Sequence, residues 1–319
     1  MAVLCLGSAV FAQTPQPVFL LRSLADSGPV RNPELFFFLP PDAFLTNDSL
    51  PQSIGIESKS PEGAEKAIAT EVRWNRQGQL VSFPVMLEAA MAQVSLERDA
   101  RGFVRSLTLI PAEGEGEESG GDGESGFLAG FLLDSDGRAE WGTWEDGETR
   151  GAFRFAYTFD EAGRELVREY RYDEAGSVVA AFAYRLRSSA IGAVDILDET
   201  GNADEIMGWE LDGNGRAVLV RNGTIATEAY YDGSGRPVLI RRTDEKAPIH
   251  EISFQWNEKG ELVRDVSIDA EGKRTERKYA YVRDGKGNWI SRSSVEYAER
   301  FGALVGTDGP ELVRNIRYR

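Results

Sequence analysis

The sequence contains few of the side chains from which most metal sites and catalytic triads are built. It has one cysteine, Cys5, and one histidine, His250. Most zinc sites draw on several histidine and cysteine ligands, so the sequence excludes that class of site. A Ser-His-Asp triad would have to use His250, and we expect a single histidine at the start of a strand to be structural.

Other signatures of catalysis and nucleotide binding are absent as well. The sequence has no Gly-x-Ser-x-Gly nucleophile elbow and no Gly-Lys-Ser/Thr phosphate-binding loop. Asp and Glu number 52 against 36 Lys and Arg, and the net charge of -16 argues against a nucleic-acid partner. Paired carboxylates can hydrolyse glycosides, but among so many acids the sequence selects no pair. We therefore assign no catalytic residue, metal ion or cofactor.

Long apolar runs are missing, apart from a short one at the N-terminus. Residues 1–12 are apolar and uncharged, and Val10-Phe11-Ala12 before Gln13 suits a signal-peptidase site. We expect a signal peptide over 1–12, whose missing basic start indicates either truncation or a mis-called start codon, and export to the periplasm or surface of a bacterium. Its removal would leave no cysteine. No other apolar run is long enough to span a bilayer, so we expect no transmembrane segment.

What the sequence does contain is a recurring unit in which two alternating strands flank an Asp-x-x-Gly turn. In its clearest copy Phe153, Phe155, Tyr157 and Phe159 are spaced by two and share one face of a strand. The turn Asp can accept a hydrogen bond from the backbone two residues on, and the Gly can adopt a positive φ. Each unit therefore predicts a β-hairpin.

The unit recurs along most of the chain. Its turns begin at Asn75, Asp99, Asp134, Asp160, Asp173, Asp198, Asp212, Asp232, Asn257, Asp269 and Asp284. Such recurrence between alternating runs is typical of a repeat protein. We predict an all-β fold of antiparallel hairpins in a meander, extended or wrapped, with few or no helices.

One copy of the unit carries a family resemblance. Tyr231-Asp232-Gly-Ser-Gly235-Arg236 has the Tyr-Asp-x-x-Gly-Arg core of the YD-repeat (Rhs-like) proteins, and residues 159–164 and 172–176 match it nearly. Residues 284–292 resemble the Gly-Asn-Trp variant of short bacterial relatives. The resemblance implies antiparallel β-meanders in a secreted or surface protein. Large members wrap their sheets into shells around toxins, but this chain is far shorter and has no toxin-like tail.

Four segments follow from the composition. Residues 1–12 are the signal peptide, 13–112 an N-terminal β region, 113–126 an acidic Gly/Glu-rich loop, and 127–319 the repeat region. We expect the acidic loop to be dispensable for folding.

Local signals within these segments add further expectations. The apolar run 35–39, bounded by Pro40, predicts a buried or edge strand. The residues of 84–93 fit either a helix or a strand, and the sequence does not decide between them. Asn222-Gly223 predicts a type I′ hairpin loop, and 242–246 predicts a turn of another kind.

An outer-membrane barrel would show alternating strands too, and is the alternative fold. Arg168 and Arg171 fall on opposite faces of one predicted strand. Because each Arg facing lipid at mid-membrane costs roughly 2–4 kcal/mol, we favour a sheet outside the membrane.

Aromatic residues are the candidates for ligand binding. Trp74, Phe159, Tyr172, Tyr231 and Trp256 each directly precede a turn, and we expect most of them to pack in the core rather than form an exposed ladder for sugars. The candidate binding residues are Trp74, Tyr172, Tyr231, Trp256 and Trp289. The expected function is non-enzymatic: a binding or structural module with a protein or glycan ligand at the cell envelope. The alternatives are a carboxylate-dependent hydrolase of cell-envelope material and the remnant of a polymorphic-toxin scaffold.

Overall fold

The computed structural model describes most of the chain. The described residues are 18, 19, 22, 33–39, 41–44, 46, 51–59, 69–87, 90–111, 126–147, 149–159, 161, 163, 165–187, 190–197, 203–300 and 303–319. The predicted signal peptide, the turn 198–201 and residues 113–125 of the predicted acidic loop lie outside them.

Nearly all of the described backbone is extended. The strands are β1 (Ser53–Lys59), β2 (Ala69–Trp74), β3 (Leu80–Leu87), β4 (Ala90–Arg98), β5 (Val104–Pro111), β6 (Phe127–Leu133), β7 (Ala139–Asp146), β8 (Thr149–Phe159), β9 (Glu165–Asp173), β10 (Val178–Arg187), β11 (Ala190–Leu197), β12 (Ala203–Leu211), β13 (Ala217–Asn222), β14 (Ile225–Tyr231), β15 (Pro237–Asp244), β16 (Ala247–Trp256), β17 (Leu262–Asp269), β18 (Arg274–Arg283), β19 (Trp289–Arg300), β20 (Ala303–Asp308) and β21 (Glu311–Arg317). Among the described residues, helical backbone is confined to Val18, Phe19, Arg22 and a 3-10 helix over Pro33–Phe37. The all-β prediction is confirmed, and the described residues of the segment that the sequence left open, 84–87 and 90–93, belong to strands.

The chain divides into two compact units. Unit 1 comprises residues 1–28 and 84–210, and unit 2 comprises 29–83 and 211–319. The predicted segments 13–112 and 127–319 therefore both contribute to each unit.

Each unit is built on antiparallel neighbours. In unit 1 the strands from β4 to β12 pair in sequence order as a meander. In unit 2 a second meander runs from β13 to β19. There β19 pairs with both β20 and β21, and β1 lies between β2 and β21.

The predicted turns have one repeated geometry. At Asp232 the backbone N–H donates to the carbonyl of Arg236 at 2.8 Å, and the N–H of Gly235 donates back to Asp232 at 2.9 Å. Asp232 Oδ1 also accepts the N–H groups of Ser234 and Arg236, and Gly235 has a φ of 82°. The same backbone pair occurs at Asn75, Asp99, Asp134, Asp173, Asp212, Asn257, Asp269 and Asp284. The hairpin prediction is confirmed at these positions, and Gly163, in the partly described 160–163 turn, has a φ of 73°.

Two tight loops differ from expectation. Asn222 pairs with Ile225, so the loop residues are Gly223 and Thr224, and of these two Gly223 alone has a positive φ, of 57°. The predicted type I′ loop at Asn222-Gly223 is therefore wrong, because the strand pairing extends through Asn222. The type I′ geometry occurs at 245–246 instead, where Glu245 and Lys246 have φ values of 46° and 72°.

The predicted strand over 35–39 is also wrong. Residues 33–37 form the 3-10 helix, and the N–H groups of Phe38 and Leu39 donate to the carbonyl of Leu35. Consecutive apolar residues give no period, so they fit a buried helical turn as well as a strand. Proline at position 33 suits the first turn of a helix.

Residues 33–39 and 41–44, which we call the covering segment, pack on the sheet of unit 2. Leu39 and Ala43 join an apolar cluster with Ile54, Ile56, Trp289 and Leu312. In unit 1, Phe19 packs against Tyr184, with ring centroids 4.7 Å apart, and against Phe155 at 5.7 Å.

Candidate functional site

The structure does not bring the five predicted binding residues into one site. Tyr172 belongs to unit 1, and the other four belong to unit 2. Trp289 is buried, whereas Trp74, Tyr172, Tyr231 and Trp256 are half-buried. Trp74 packs against the apolar cluster of unit 2 and lines a cavity of about 520 Å³ together with Gln52, Asn75, Arg76 and Arg319.

Tyr231 shows what a half-buried aromatic residue does beside a turn. Its hydroxyl donates to the carbonyl of Ala217 at 2.8 Å, two residues after the glycine of the preceding turn, Gly215. The guanidinium of Arg216, directly after that glycine, lies 4.6 Å from the ring centroid. We call this arrangement the turn-edge contact.

Three other aromatic residues repeat the hydrogen bond. Trp256 Nε1 donates to the carbonyl of Pro237 at 2.8 Å, Tyr281 donates to Leu262 at 2.6 Å, and Tyr157 donates to Ala139 at 2.7 Å. Arginine also covers the rings of two of them, with Arg236 over Trp256 at 5.7 Å and Arg138 over Tyr157 at 5.5 Å. The turn-edge contact therefore ties successive hairpins together, which is a scaffold role.

The prediction that residues before the turns pack in the core is wrong for Phe159. Its side chain is 72% exposed. In this hairpin Tyr157, two residues earlier, makes the turn-edge contact, so Phe159 extends beyond the packed part of the strand.

The arginine of the turn-edge contact also binds the turn carboxylate. Arg216 Nε donates to Asp212 Oδ2 at 2.6 Å. Partial desolvation raises the pKa of Asp212, but hydrogen bonds from Arg216 and two backbone N–H groups outweigh it, so the pKa lies below its ordinary value. A carboxylate held in this way is a turn-stabilising anion and a poor general acid.

Of the five buried acids among the described residues, three are bound to arginine, whereas burial raises the pKa of the other two, Glu34 and Asp42. Glu169 accepts from Arg171 Nε at 3.0 Å, Asp265 from Arg277 Nε at 3.1 Å, and Glu276 from Arg264 at 2.7 and 2.8 Å. These contacts hold the carboxylates of Glu169, Asp265 and Glu276 in structural ion pairs.

His250 lies in a packed and cationic environment. Its ring centroid is 4.7 Å from that of Phe37 in the covering segment. Burial lowers the pKa of His250, and the charges of Arg277 and Arg242 lower it further. Within the described residues no group of three or more His, Cys, Asp or Glu side chains could hold a metal ion.

An exposed apolar surface on unit 1 was not predicted. Ile110, Leu128, Leu132 and Trp141 are between 42% and 50% exposed on three neighbouring strands, and we call them the exposed apolar strip. Leu132 and Trp141 are directly paired across β6 and β7. The sequence signal was an apolar residue at every position of 127–133 except Gly130, which leaves both faces of β6 apolar.

Comparisons with known proteins add little to this geometry. No family model and no curated protein matches the sequence. Among solved structures, a porin-like protein from Bacteroides uniformis ATCC 8492 is similar at a TM-score of 0.34 and 9% identity, over 84% of this chain and 98% of that one. None of the helices in the described part of the chain is long and apolar enough to cross a membrane.

Proposed function

We propose that the chain is an exported, YD-repeat-like binding module of the bacterial cell envelope, that its ligand is a protein, and that the ligand docks on the exposed apolar strip. The strip is the observation that carries the proposal. Large apolar patches are rare on the surface of monomeric soluble proteins, and where they occur they mark interaction sites. Trp141 supplies the kind of large aromatic anchor that dominates binding energy at interfaces.

The side chains favour a protein over a glycan. Sugars stack on exposed aromatic rings, but Tyr231 and Trp256 are engaged in turn-edge contacts with their own chain. The strip instead presents three aliphatic side chains, Ile110, Leu128 and Leu132, beside Trp141. Aliphatic surface of this kind packs against apolar side chains of a polypeptide.

The charge of the surrounding sequence defines the partner further. Eight acidic residues and no Lys or Arg lie between Arg105 and Arg138, the part of the chain that contains Ile110, Leu128 and Leu132. Opposite charges across an interface favour association and steer the encounter. We therefore expect a ligand segment that combines apolar and basic side chains.

The test uses a synthetic peptide of alternating leucine and lysine, with a leucine–glutamate peptide as its counterpart, titrated into the full chain by calorimetry. The basic peptide should bind, and Leu132→Ser combined with Trp141→Ser should weaken it at least about tenfold, or 1.4 kcal/mol. Leu304→Ser is the matched control, because Leu304 is 60% exposed and lies in unit 2. Equal binding of the two peptides, or equal effects of the two variants, would contradict the proposal.

Export is a separate part of the proposal and has its own measurement. Mass spectrometry of the protein recovered from the periplasm or cell surface should give a mature N-terminus near Gln13. An exported species that retains residues 1–12 would contradict this part alone.

A further inference from the structure

The hairpin of Trp74 departs from the arrangement that covers the other aromatic rings beside turns. In three hairpins, the aromatic residue of the turn-edge contact lies opposite an arginine in the register of the paired strands, and the guanidinium covers its ring: Arg216 with Tyr231, Arg236 with Trp256 and Arg138 with Tyr157. In a fourth hairpin, Tyr281 packs against the ring of Trp289, with ring centroids 5.9 Å apart. Groups of the same chain thus cover each of these rings.

Trp74 occupies the same register position, but the residue opposite it is Gln52. Ser53 of β1 pairs with Arg73 of β2, and the backbone N–H of Trp74 donates to the carbonyl of Gln52 at 3.0 Å. Glutamine has no charge, so it cannot form the cation–π contact that arginine forms in the other hairpins. Where those hairpins have an arginine, this one has the cavity of about 520 Å³ that Gln52 and Trp74 line. We call it the Trp74 cavity.

The Trp74 cavity has the size and the fixed walls of a small-molecule site. Ligand pockets measure about 300–1,000 Å³. Trp74 packs against the apolar cluster of unit 2, and Asn75 Oδ1 accepts the N–H of Gln79 at 3.0 Å. Arg319 Nη1 donates to the carbonyl of Arg76 at 3.0 Å and links this turn to the end of the chain that follows β21. Walls that are already ordered lose little conformational entropy when a ligand binds.

The side chains of the cavity define the chemistry of its ligand. The half-buried Trp74 indole offers an apolar ring on which a sugar ring can stack. Arg76 is exposed beside it, and a guanidinium binds a carboxylate through two parallel hydrogen bonds. The exposed amide of Gln52 can donate to and accept from hydroxyl groups. Because Arg76 and Arg319 both line the cavity, a ligand cation in the place of the missing arginine is disfavoured.

We propose that the Trp74 cavity binds an acidic sugar of the uronic acid class. The sugar ring stacks on the indole of Trp74, the carboxylate binds the guanidinium of Arg76, and hydroxyl groups bind the amide of Gln52. This site lies in unit 2 and does not depend on the exposed apolar strip of unit 1 or on its protein ligand.

The test titrates tetragalacturonate, a uronic acid tetrasaccharide, into the full chain by calorimetry. Maltotetraose is the neutral counterpart of equal length, and gluconate is a carboxylate without a sugar ring. Tetragalacturonate should bind, and each of the other two should bind at least about tenfold more weakly, because each lacks one of the two main interactions.

Two variants assign the binding to the cavity, and Trp74 stays in place because it packs in the apolar cluster. Arg76→Gln should weaken tetragalacturonate binding at least about tenfold, since it removes the guanidinium. Lys259→Gln is the matched control, because it makes the same change of charge at an exposed position of another turn in unit 2 and should leave binding unchanged. The melting temperature of both variants should stay at that of wild type.

Gln52→Arg separates stacking from charge attraction. The new arginine should cover Trp74 as Arg236 covers Trp256, so it should raise the melting temperature and weaken tetragalacturonate binding although it adds a positive charge. Stronger binding by Gln52→Arg would show an unspecific attraction between charges and would overturn the proposal. Failure of wild type to bind tetragalacturonate, equal binding of maltotetraose or gluconate, or equal effects of Arg76→Gln and Lys259→Gln would overturn it as well.

Discussion

The carboxylate of Glu169 on β9 accepts the backbone N–H of Phe19, 150 residues earlier in the chain, at 3.0 Å. The same carboxylate accepts the N–H of Val18 at 3.1 Å, Arg171 Nε at 3.0 Å and the hydroxyl of Tyr184. Glu169 is fully buried, and four donors compensate its loss of hydration. Hydrogen bonds from the main chain of Val18 and Phe19 thus fix this N-terminal part of unit 1 to its sheet.

Glu169→Ala should destabilise the protein strongly. The substitution leaves Arg171 buried without its carboxylate, and breaking a buried ion pair in this way costs roughly 3–5 kcal/mol. Urea denaturation measures the change, with exposed Glu258→Ala as a control expected within about 0.5 kcal/mol of wild type. A loss below about 1 kcal/mol for Glu169→Ala would show that the contact does not hold the fold.

Trp256→Ala and Phe159→Ala should differ although both aromatic residues precede a turn. Trp256 is half-buried and donates a hydrogen bond to Pro237, so its removal should cost about 2–4 kcal/mol. Phe159 is 72% exposed, and its removal should change stability by less than about 0.5 kcal/mol. Chemical denaturation of both variants checks the contrast, and equal costs would show that the turn-edge contact contributes no stability.

Lys246→Gly should stabilise the protein. Lys246 has a φ of 72°, a conformation that disfavours a side chain with a Cβ atom, and glycine relieves it. We expect a gain of about 1 kcal/mol after the larger unfolded-state entropy of glycine is included. Lys259→Gly is the matched control in another turn, where φ is not positive, and should lower stability. A loss at both positions would contradict the type I′ assignment.

The Glu276 contacts should make stability depend on acid pH. Bidentate hydrogen bonds from Arg264, together with Arg274, lower the pKa of Glu276 from 4.5 to about 2. A carboxylate with a lowered folded pKa contributes stability that is present above pH 4.5 and is lost as pH falls towards 2.

The difference in unfolding free energy between wild type and Glu276→Gln isolates this contribution from other titrating groups. Urea denaturation at a series of pH values should show a difference that is constant above pH 4.5 and shrinks as pH falls towards 2. A difference independent of pH over that range would show that the ion pair adds no stability.

The sequence by itself determined the hairpins and their turns. The turn Asp accepts N–H groups two and four residues on, and the turn Gly is free to adopt a positive φ. Both interactions lie within five residues, so the turn from Asp232 to Arg236 needs no distant contact to form. Alternation of period two, as in Phe153 and Phe155, fixed which residues face the packed side. The all-β fold followed from these local rules.

The tertiary structure alone decided which side chains these rules bury. Phe159 and Trp256 both directly precede a turn, but Trp256 is half-buried and donates to the carbonyl of Pro237, whereas Phe159 is 72% exposed and Tyr157 takes the equivalent carbonyl, that of Ala139. The pairing of β1 with β21 and the helical turn at Pro33–Phe37 depend on surfaces far away in sequence. The burial of Asp42 beside Arg314 likewise arises only when segments far apart in sequence pack, whereas the apolar character of both faces of β6 is already present in the sequence.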